Sequence, residues 1–220
     1  MTDVGSENAN LPAHEIVYRQ MREMVLFGEL APGQAVTIQG LVATLKTGMT
    51  PVREAIRRLT AERALLATGN RRVCVPQLDK SQLAQLSFVR DTIEPALAER
   101  AMPNLTPRQI AAIEDIDHAL ETAIAAGDVK GYLRHNYRFH RAIYLAADAP
   151  ILASIADDLW LRVGPSLRVV CGRFGTLNLP DMHEEAITAM RAGDAVGVAQ
   201  AIRADIAQGH ATILRTLEDA

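Results

Sequence analysis

Three histidines and one asparagine in the second half of the chain have side chains that can bind metal ions. Asn136 and His140 are four residues apart in "HNYRFHRAI", so they share one face of a predicted helix. His183 and His210 lie in two later helical segments. Three imidazoles and an amide oxygen that converge in a bundle core would bind a divalent transition metal, zinc or nickel above all. From spacing alone, a lone histidine on a helix is more often exposed or hydrogen-bonded than a ligand.

A second group of functional side chains lies in "GMTPVREAIRRL" (48–59), which has three arginines in an acidic chain. Thr50 is predicted to cap a helix that begins at Pro51. An apolar stripe at helical spacing leaves the arginines exposed, where they can bond guanine or phosphate. With neighbouring segments, the candidate DNA contacts are Gln39, Thr50, Pro51, Arg53, Arg57, Arg58, Arg71 and Arg72. The alternative is a solvated amphipathic helix with an ion pair between Glu54 and Arg58.

The elements that must position these arginines form a winged helix-turn-helix. Helices are predicted over 14–27 and 39–45, ahead of the Thr50 helix. The segment "LLATGNRRVCVPQL" alternates around Gly69-Asn70, which predicts a hairpin with a basic tip. We therefore expect a DNA-binding domain over 14–78, a disordered tail over 1–13 and a linker near 76–80.

The elements that must position the histidines are all helical. Helices are predicted over 81–102, 106–126, 128–147, 150–172, 181–192 and 194–218, separated by Pro and Gly-Asp signals. Gly164-Pro165 is predicted to kink or split the fourth of these. The predicted fold class is mainly α, with a winged helix-turn-helix followed by an all-α bundle of six or seven helices over 79–220.

Charge and composition support this division. The 220 residues carry a net charge of −3 and 49% hydrophobic residues, of which few are aromatic. Residues 14–78 have nine basic and five acidic residues, whereas residues 79–220 have fourteen and nineteen. The first part thus favours a polyanion partner. Two cysteines exclude a disulfide framework, and the absence of a signal sequence or an apolar span predicts a cytoplasmic protein without a membrane partner.

The sequence resembles the GntR family of bacterial transcription regulators, in particular the FadR-like subfamily with an FCD ligand domain. The residues that carry the resemblance are "LFGELAPGQ" (26–34), "TPVREAIRRLTAE" (50–62) and the wing strand at 73–75. The chain departs from the family at Gly48 and Met49, where members often have Ser or Thr followed by Arg. Arg63 replaces a usual glycine, and Gln39 lies where some relatives use arginine.

The resemblance also implies roles for residues of the helical half. The "D/N-x-x-F-H" pattern and two later histidines imply that Asn136, His140, His183 and His210 are metal ligands. Many relatives have Asp at the first of these positions. Arg90 matches an arginine found at the start of FCD domains, so it is a candidate for binding an effector carboxylate. A simple ion pair with Glu94 is the alternative, and Arg162 is a weaker effector-binding candidate.

These features predict a metabolite-responsive transcription regulator and not an enzyme. We expect a homodimer that binds a palindromic double-stranded DNA operator and is a repressor released by a small organic acid or sugar acid. One alternative is a metal-dependent enzyme fused to a DNA-binding module, although the histidine motif contains no obvious general acid or base. The other is an effector-independent DNA-binding protein with a structural metal.

Overall fold

The structure of the protein, a computed structural model, describes residues 11–69, 72–174 and 182–218, without the side chains of residues 172–174. Residues 1–10 of the predicted tail and Arg71 lie outside the described residues. The chain forms an N-terminal winged helix-turn-helix and a C-terminal helical bundle, which confirms the predicted fold class.

The N-terminal half has three helices and a small sheet. Its elements are α1 (Ala13–Leu26), β1 (Ala35–Val36), α2 (Ile38–Leu45), α3 (Met49–Ala61), β2 (Leu66–Thr68) and β3 (Arg72–Cys74). Strand β3 is central and antiparallel to both neighbours, with Cys74 opposite Ala35 and Leu66. The hairpin β2–β3 is the predicted wing. The helices pack around an aliphatic core in which Met21, Val52 and Leu59 are completely buried.

Helix α3 begins earlier than predicted. Its N-cap is Gly48, whose backbone is extended, and Thr50 is the second residue of the helix instead of its cap. Pro51 is then the third helical residue. Proline is tolerated there because the amide groups of the first turn have no partner within the helix. The exposed N-terminus of α3 therefore carries glycine and methionine in front of Thr50.

The C-terminal half consists of six helices in the described residues. They are α4 (Lys80–Ala101), α5 (Pro107–Ala125), α6 (Val129–Ala146), α7 (Pro150–Phe174), α8 (Met182–Ala192) and α9 (Ala195–Glu218). Reciprocal capping boxes start two of them, Asp79 with Gln82 at α4 and Thr106 with Gln109 at α5. Tightly packed aliphatic side chains fill the bundle around Phe139, which is completely buried.

Helix α7 is continuous, so the predicted split at Gly164-Pro165 is wrong. Proline removes one backbone hydrogen bond, but packing on neighbouring helices holds the helix together. Gly164 has a different role, because a Cβ atom at this position would lie 2.2 Å from the main-chain oxygen of Leu26. Helix α7 therefore contacts the end of α1 backbone to backbone.

The two halves share one apolar core. The cluster that contains the core of the DNA-binding half also includes buried residues of the bundle, namely Leu133, Tyr137, Trp160, Leu161 and Cys171. Gly28 strengthens the contact: its φ of +64° suits glycine, and its Cα faces the Arg168 side chain. In the described part of the chain, no helix has the length and apolarity that a membrane span requires.

Candidate functional site

His140, His183 and Asp205, which come from α6, α8 and α9, form a cluster that could hold a metal ion, the metal-ligand cluster. One ligand atom from each residue lies within 4.8 Å of the other two. Nε2 of His140 is 3.1 Å from Oδ2 of Asp205, and Nε2 of His183 is 4.0 Å from Oδ1 of the same carboxylate. Three helices thus bring two buried imidazoles and a partly buried carboxylate to one point in the bundle.

A chain of hydrogen bonds determines which nitrogen of His140 carries the proton. Tyr144 donates its hydroxyl proton to Oε2 of Glu94 over 2.6 Å. The tyrosine oxygen lies 2.9 Å from Nδ1 of His140, so it accepts a hydrogen bond from that nitrogen. Because a neutral imidazole has only one N–H group, Nε2 of His140 presents a lone pair toward Asp205.

His183 is oriented in a similar way by a carboxylate. Its Nδ1 lies 2.8 Å from Oδ1 of Asp117, and an ionised carboxylate can only accept a hydrogen bond. The proton therefore lies on Nδ1, and Nε2 is the nitrogen on the side of Asp205. The ring also stacks on Phe139, with centroids 3.8 Å apart. A carboxylate that orients a histidine from behind is typical of metal sites.

The protonation states of the cluster suit a cation. Burial lowers the pKa of His140, which favours its neutral form. Burial would raise the pKa of Asp205, but positive charge beside it, on His140 and His183 when they are protonated and on the Arg90 guanidinium, outweighs burial and lowers this pKa to about 2. Buried Nε2 of His140 has no hydrogen-bond partner among the described residues, although the ionised carboxylate lies beside it. Two lone-pair donors that face each other fit a divalent transition metal.

The structure brings together two of the four residues predicted as ligands. His140 and His183 belong to the cluster, but His210 lies five residues beyond Asp205 on α9 and is not part of it. Asn136 is buried one turn before His140 and lines a cavity together with Asp205. Sequence reasoning missed Asp205 because it considered only the histidine on α9. Asp205 and His210 both fit the inward stripe of α9, so the local sequence does not show which of them belongs to the cluster.

A small cavity adjoins the cluster. Its volume is about 40 Å³, and its polar lining residues are Arg90, Tyr132, Asn136, Asp205, Gln208 and Thr212. A space of this size holds one or a few water molecules. The cavity must widen before an organic acid can enter it.

Arg90 forms the ion pair with Glu94 that is the alternative to an effector-binding role, and it also lies at the cavity. It donates from Nε and Nη2 to the Glu94 carboxylate over 2.5 and 3.2 Å. Arg162, the second effector-binding candidate, is not at this cavity. It lies on a separate groove between the wing and the helices α4 and α7, where its Nε has no hydrogen-bond partner among the described residues.

The candidate DNA contacts lie on the exposed side of the N-terminal half. Arg53 is exposed and forms no hydrogen bond or ion pair with the described residues, whereas Arg57 pairs with Glu54 at 2.5 Å. Glu54 therefore pairs with Arg57, three residues away, and not with Arg58 as the alternative interpretation predicts. Of the remaining candidates, Gln39, Thr50 and Arg72 are exposed and Pro51 is half-buried.

Arg58 has a structural role within the DNA-binding half. Its guanidinium bonds Glu15 at 2.9 Å and Glu62 at 3.2 Å, and it lies 3.5 Å from the centre of the Tyr18 ring. Tyr18 also donates its hydroxyl proton to Glu62. These contacts attach α3 to α1 and leave Arg58 less available to DNA than Arg53.

A winged helix-turn-helix that shares a core with a helical bundle containing a buried ligand cluster defines a two-domain DNA-binding regulator. Residues 13–75 match the family model for bacterial regulatory proteins of the gntR family, and residues 85–208 match the model for the FCD domain. The chain belongs to the GntR family of bacterial transcriptional regulators and has a C-terminal FCD domain.

Curated relatives and a solved structure agree with this assignment. The chain is 29% identical to the HTH-type transcriptional regulator McbR of Escherichia coli K12, over 90% of each chain. It is 26% identical to the HTH-type transcriptional repressor RspR of the same organism, over 86% of this chain and 84% of RspR. The solved structure of E. coli McbR/YncC superposes with a TM-score of 0.87, at 27% identity, and covers 94% of this chain and 99% of that one.

Proposed function

We propose that the protein is a repressor that leaves its operator when a small carboxylate binds beside a metal held by His140, His183 and Asp205. The observation that carries this proposal is that Asp205 of the metal-ligand cluster and Arg90 line the same cavity. A metal ion and an arginine are two recognition elements for one carboxylate. The name of RspR, a repressor, supports the direction of regulation.

Two imidazole nitrogens and one carboxylate would hold the metal. A divalent ion such as zinc or nickel, once bound, supplies open coordination positions to an oxygen ligand. Asn136 lies in the wall of the cavity together with Asp205. Its amide is neutral, so it leaves the site more positive than an aspartate would and favours an anionic effector. Asp205 takes the place of His210 in this ligand set.

The DNA-binding part of the proposal depends on α3. A homodimer would place two α3 helices in successive major grooves of a palindromic operator. Arg53 is the candidate for base contacts because its side chain is exposed and uncommitted. Gly48 and Met49 contribute no hydroxyl or guanidinium at the start of the helix, which leaves Thr50 and the free amide groups for a phosphate.

The first test is thermal unfolding of the full chain with a panel of organic and sugar acids, with and without a chelator. We expect one class of acid to raise the melting temperature, since a ligand that binds only the folded state stabilises it. The chelator should abolish this shift. The same acid should release the protein from an operator selected from a random DNA library.

Matched variants identify the ligand set. Asp205→Asn should weaken zinc binding measured by calorimetry, and His210→Ala should leave it unchanged. A loss of zinc binding in His210→Ala alone would contradict the proposed set. An acid that shifts the melting temperature equally with chelator present would show that the effector binds without the metal, and no shift with any acid or with the chelator would support an effector-independent DNA-binding protein.

A further inference from the structure

One buried carboxylate joins the metal-ligand cluster to the cavity. Oε1 of Glu94 accepts a hydrogen bond from Arg90, and its Oε2 accepts bonds from Tyr144 and from Nε1 of Trp160. Tyr144 continues to His140, whereas Arg90 faces the cavity. Because Glu94 is completely buried, a donor that turns away deprives one of its carboxylate oxygens of a hydrogen bond made inside the protein. A ligand that engages either side therefore changes the hydrogen bond that Trp160 donates to Glu94.

Trp160 lies between the candidate site and the DNA-binding half. Its ring centroid is 5.0 Å from that of His140, and the Arg90 guanidinium lies 4.5 Å above the ring. On the other side, the ring is 5.8 Å from the ring of Tyr137. Both aromatic residues belong to the apolar cluster that contains the core of the DNA-binding half.

Tyr137 makes the next contacts toward α1. Its ring packs edge-on against Phe27, at a centroid distance of 6.1 Å. Its hydroxyl donates to Oδ1 of Asp157 over 2.8 Å, and the main-chain oxygen of Asp157 accepts a bond from Arg22 on α1 at 3.4 Å. The ring of Tyr137 therefore contacts Phe27 of the DNA-binding half, and its hydroxyl contacts Asp157 of the bundle.

The boundary itself leaves little space to absorb a displacement. Gly164 follows Trp160 by one helical turn, so both lie on the same face of α7. At Gly164 the backbone of α7 touches Leu26, the last residue of α1. Closely packed elements move together or switch between discrete arrangements instead of deforming smoothly.

We infer that Trp160 and Tyr137 transmit the occupancy of the metal-ligand cluster and of Arg90 to helix α1, and thereby set the position of the recognition helix α3. This inference rests on the proposed function and assigns a route to the regulation. The signal passes from His140 and Arg90 through Glu94 to the indole, and from there through Tyr137 and the Gly164 contact to α1.

The test uses zinc alone as the probe, added to the full chain after removal of metal with a chelator. Calorimetry measures zinc binding, and amide hydrogen exchange measures the protection of α1. In the wild type, we expect zinc to slow exchange in α1 by about fivefold or more, the lower range of allosteric coupling. Trp160→Phe and Tyr137→Phe should bind zinc as the wild type does and lose most of this slowing.

Tyr18→Phe is the matched control, because it removes a hydroxyl of the same kind from α1 without touching the bundle contacts of Tyr137. It should keep the slowing. Zinc binding with unchanged slowing in Tyr137→Phe and Trp160→Phe would overturn the inference, and Tyr137→Phe decides alone if Trp160→Phe does not fold. A wild type that binds zinc without protecting α1 would overturn this route only. A wild type that does not bind zinc would overturn the proposed metal site as well.

Discussion

The metal-ligand cluster and the recognition helix satisfy their polar groups in opposite ways. Around His140, each ring nitrogen faces a specific neighbour, and Glu94 behind it accepts four hydrogen bonds from buried donors. On α3, Arg53 is exposed without a partner among the described residues, and Arg57 has only an exposed glutamate. The chain itself determines the chemistry of the first region, whereas DNA must complete the second. Substitutions in the bundle should therefore change the free energy of unfolding, whereas substitutions on α3 should change the affinity for DNA.

The largest effect should come from removing the buried carboxylate at the centre of the first region. Glu94→Ala leaves the Arg90 guanidinium buried without the carboxylate that it bonds, which costs about 3–5 kcal/mol of the free energy of unfolding. Denaturant unfolding measures this loss. Glu54→Ala, which removes the exposed partner of Arg57, should cause no measurable change. The double variant Arg90→Met/Glu94→Leu should recover part of the loss. If Glu94→Ala and Glu54→Ala are equally stable, the proposed difference between the buried cluster and the exposed helix α3 is wrong.

The next effect belongs to the exposed region and should appear only with DNA present. Arg53→Ala should weaken operator binding by about 1–3 kcal/mol, the usual contribution of an arginine that bonds a base. Its unfolding transition should coincide with that of the wild type. Binding of the library-selected operator is measured by fluorescence anisotropy at fixed salt concentration. Arg100→Ala, exposed at the end of α4, is the control and should bind normally. Normal binding by Arg53→Ala would remove this residue from the interface.

A smaller effect tests how strictly the bundle orients its ligands. Asp117→Asn replaces the carboxylate behind His183 with an amide, which should lower zinc affinity about 10- to 100-fold. Asp115→Asn removes a charge from an exposed residue of the same helix and should leave the affinity unchanged. Calorimetric titration of both variants separates orientation of the ring from the loss of charge. Equal losses in the two variants would mean that only charge matters.

The smallest effect concerns Arg63, in the turn after α3. Arg63 has a φ of +59°, a backbone conformation that is unfavourable for residues other than glycine. Arg63→Gly should stabilise the protein by up to about 1 kcal/mol, because relief of strain exceeds the added freedom of the unfolded chain. Ala61→Gly, in the last turn of α3, should have the opposite sign. Chemical denaturation compares the two, and destabilisation by both would show that Arg63 is not strained.

The architecture was predictable from local signals, and the boundaries were less so. Apolar periodicity and Pro or Gly signals located all nine helices of the described residues and the wing hairpin. The sequence predicts the start of α3 too late, because threonine followed by proline is a strong signal for a helix start. Gly48, the observed N-cap, has no side chain that could identify it. The continuity of α7 through Pro165 depends on tertiary packing, which the local sequence does not contain.

The sequence predicts the types of residue in the candidate site, but it does not predict all of the residues that belong to it. The resemblance to FCD domains implies His140 and His183 as ligands, whereas their spacing alone is a weak signal. Asp205 lies among other charged residues of α9, and only the approach of two other helices distinguishes it. The pairing of His140 with Tyr144, and of His183 with Asp117 from α5, joins segments far apart in the chain. No local pattern can predict such pairs.

The glycines at the domain boundary have a consequence for exchanging modules between regulators. At Gly28 and Gly164 the two halves fit so closely that any added side chain would overlap the other half. A chimera that receives a foreign DNA-binding domain would join a new α1 to an α7 shaped for the original one. Such a chimera should remain inducible only when Gly164 and Arg168 are matched to the incoming α1, so the natural unit of exchange extends from the N-terminal domain into the fourth helix of the bundle.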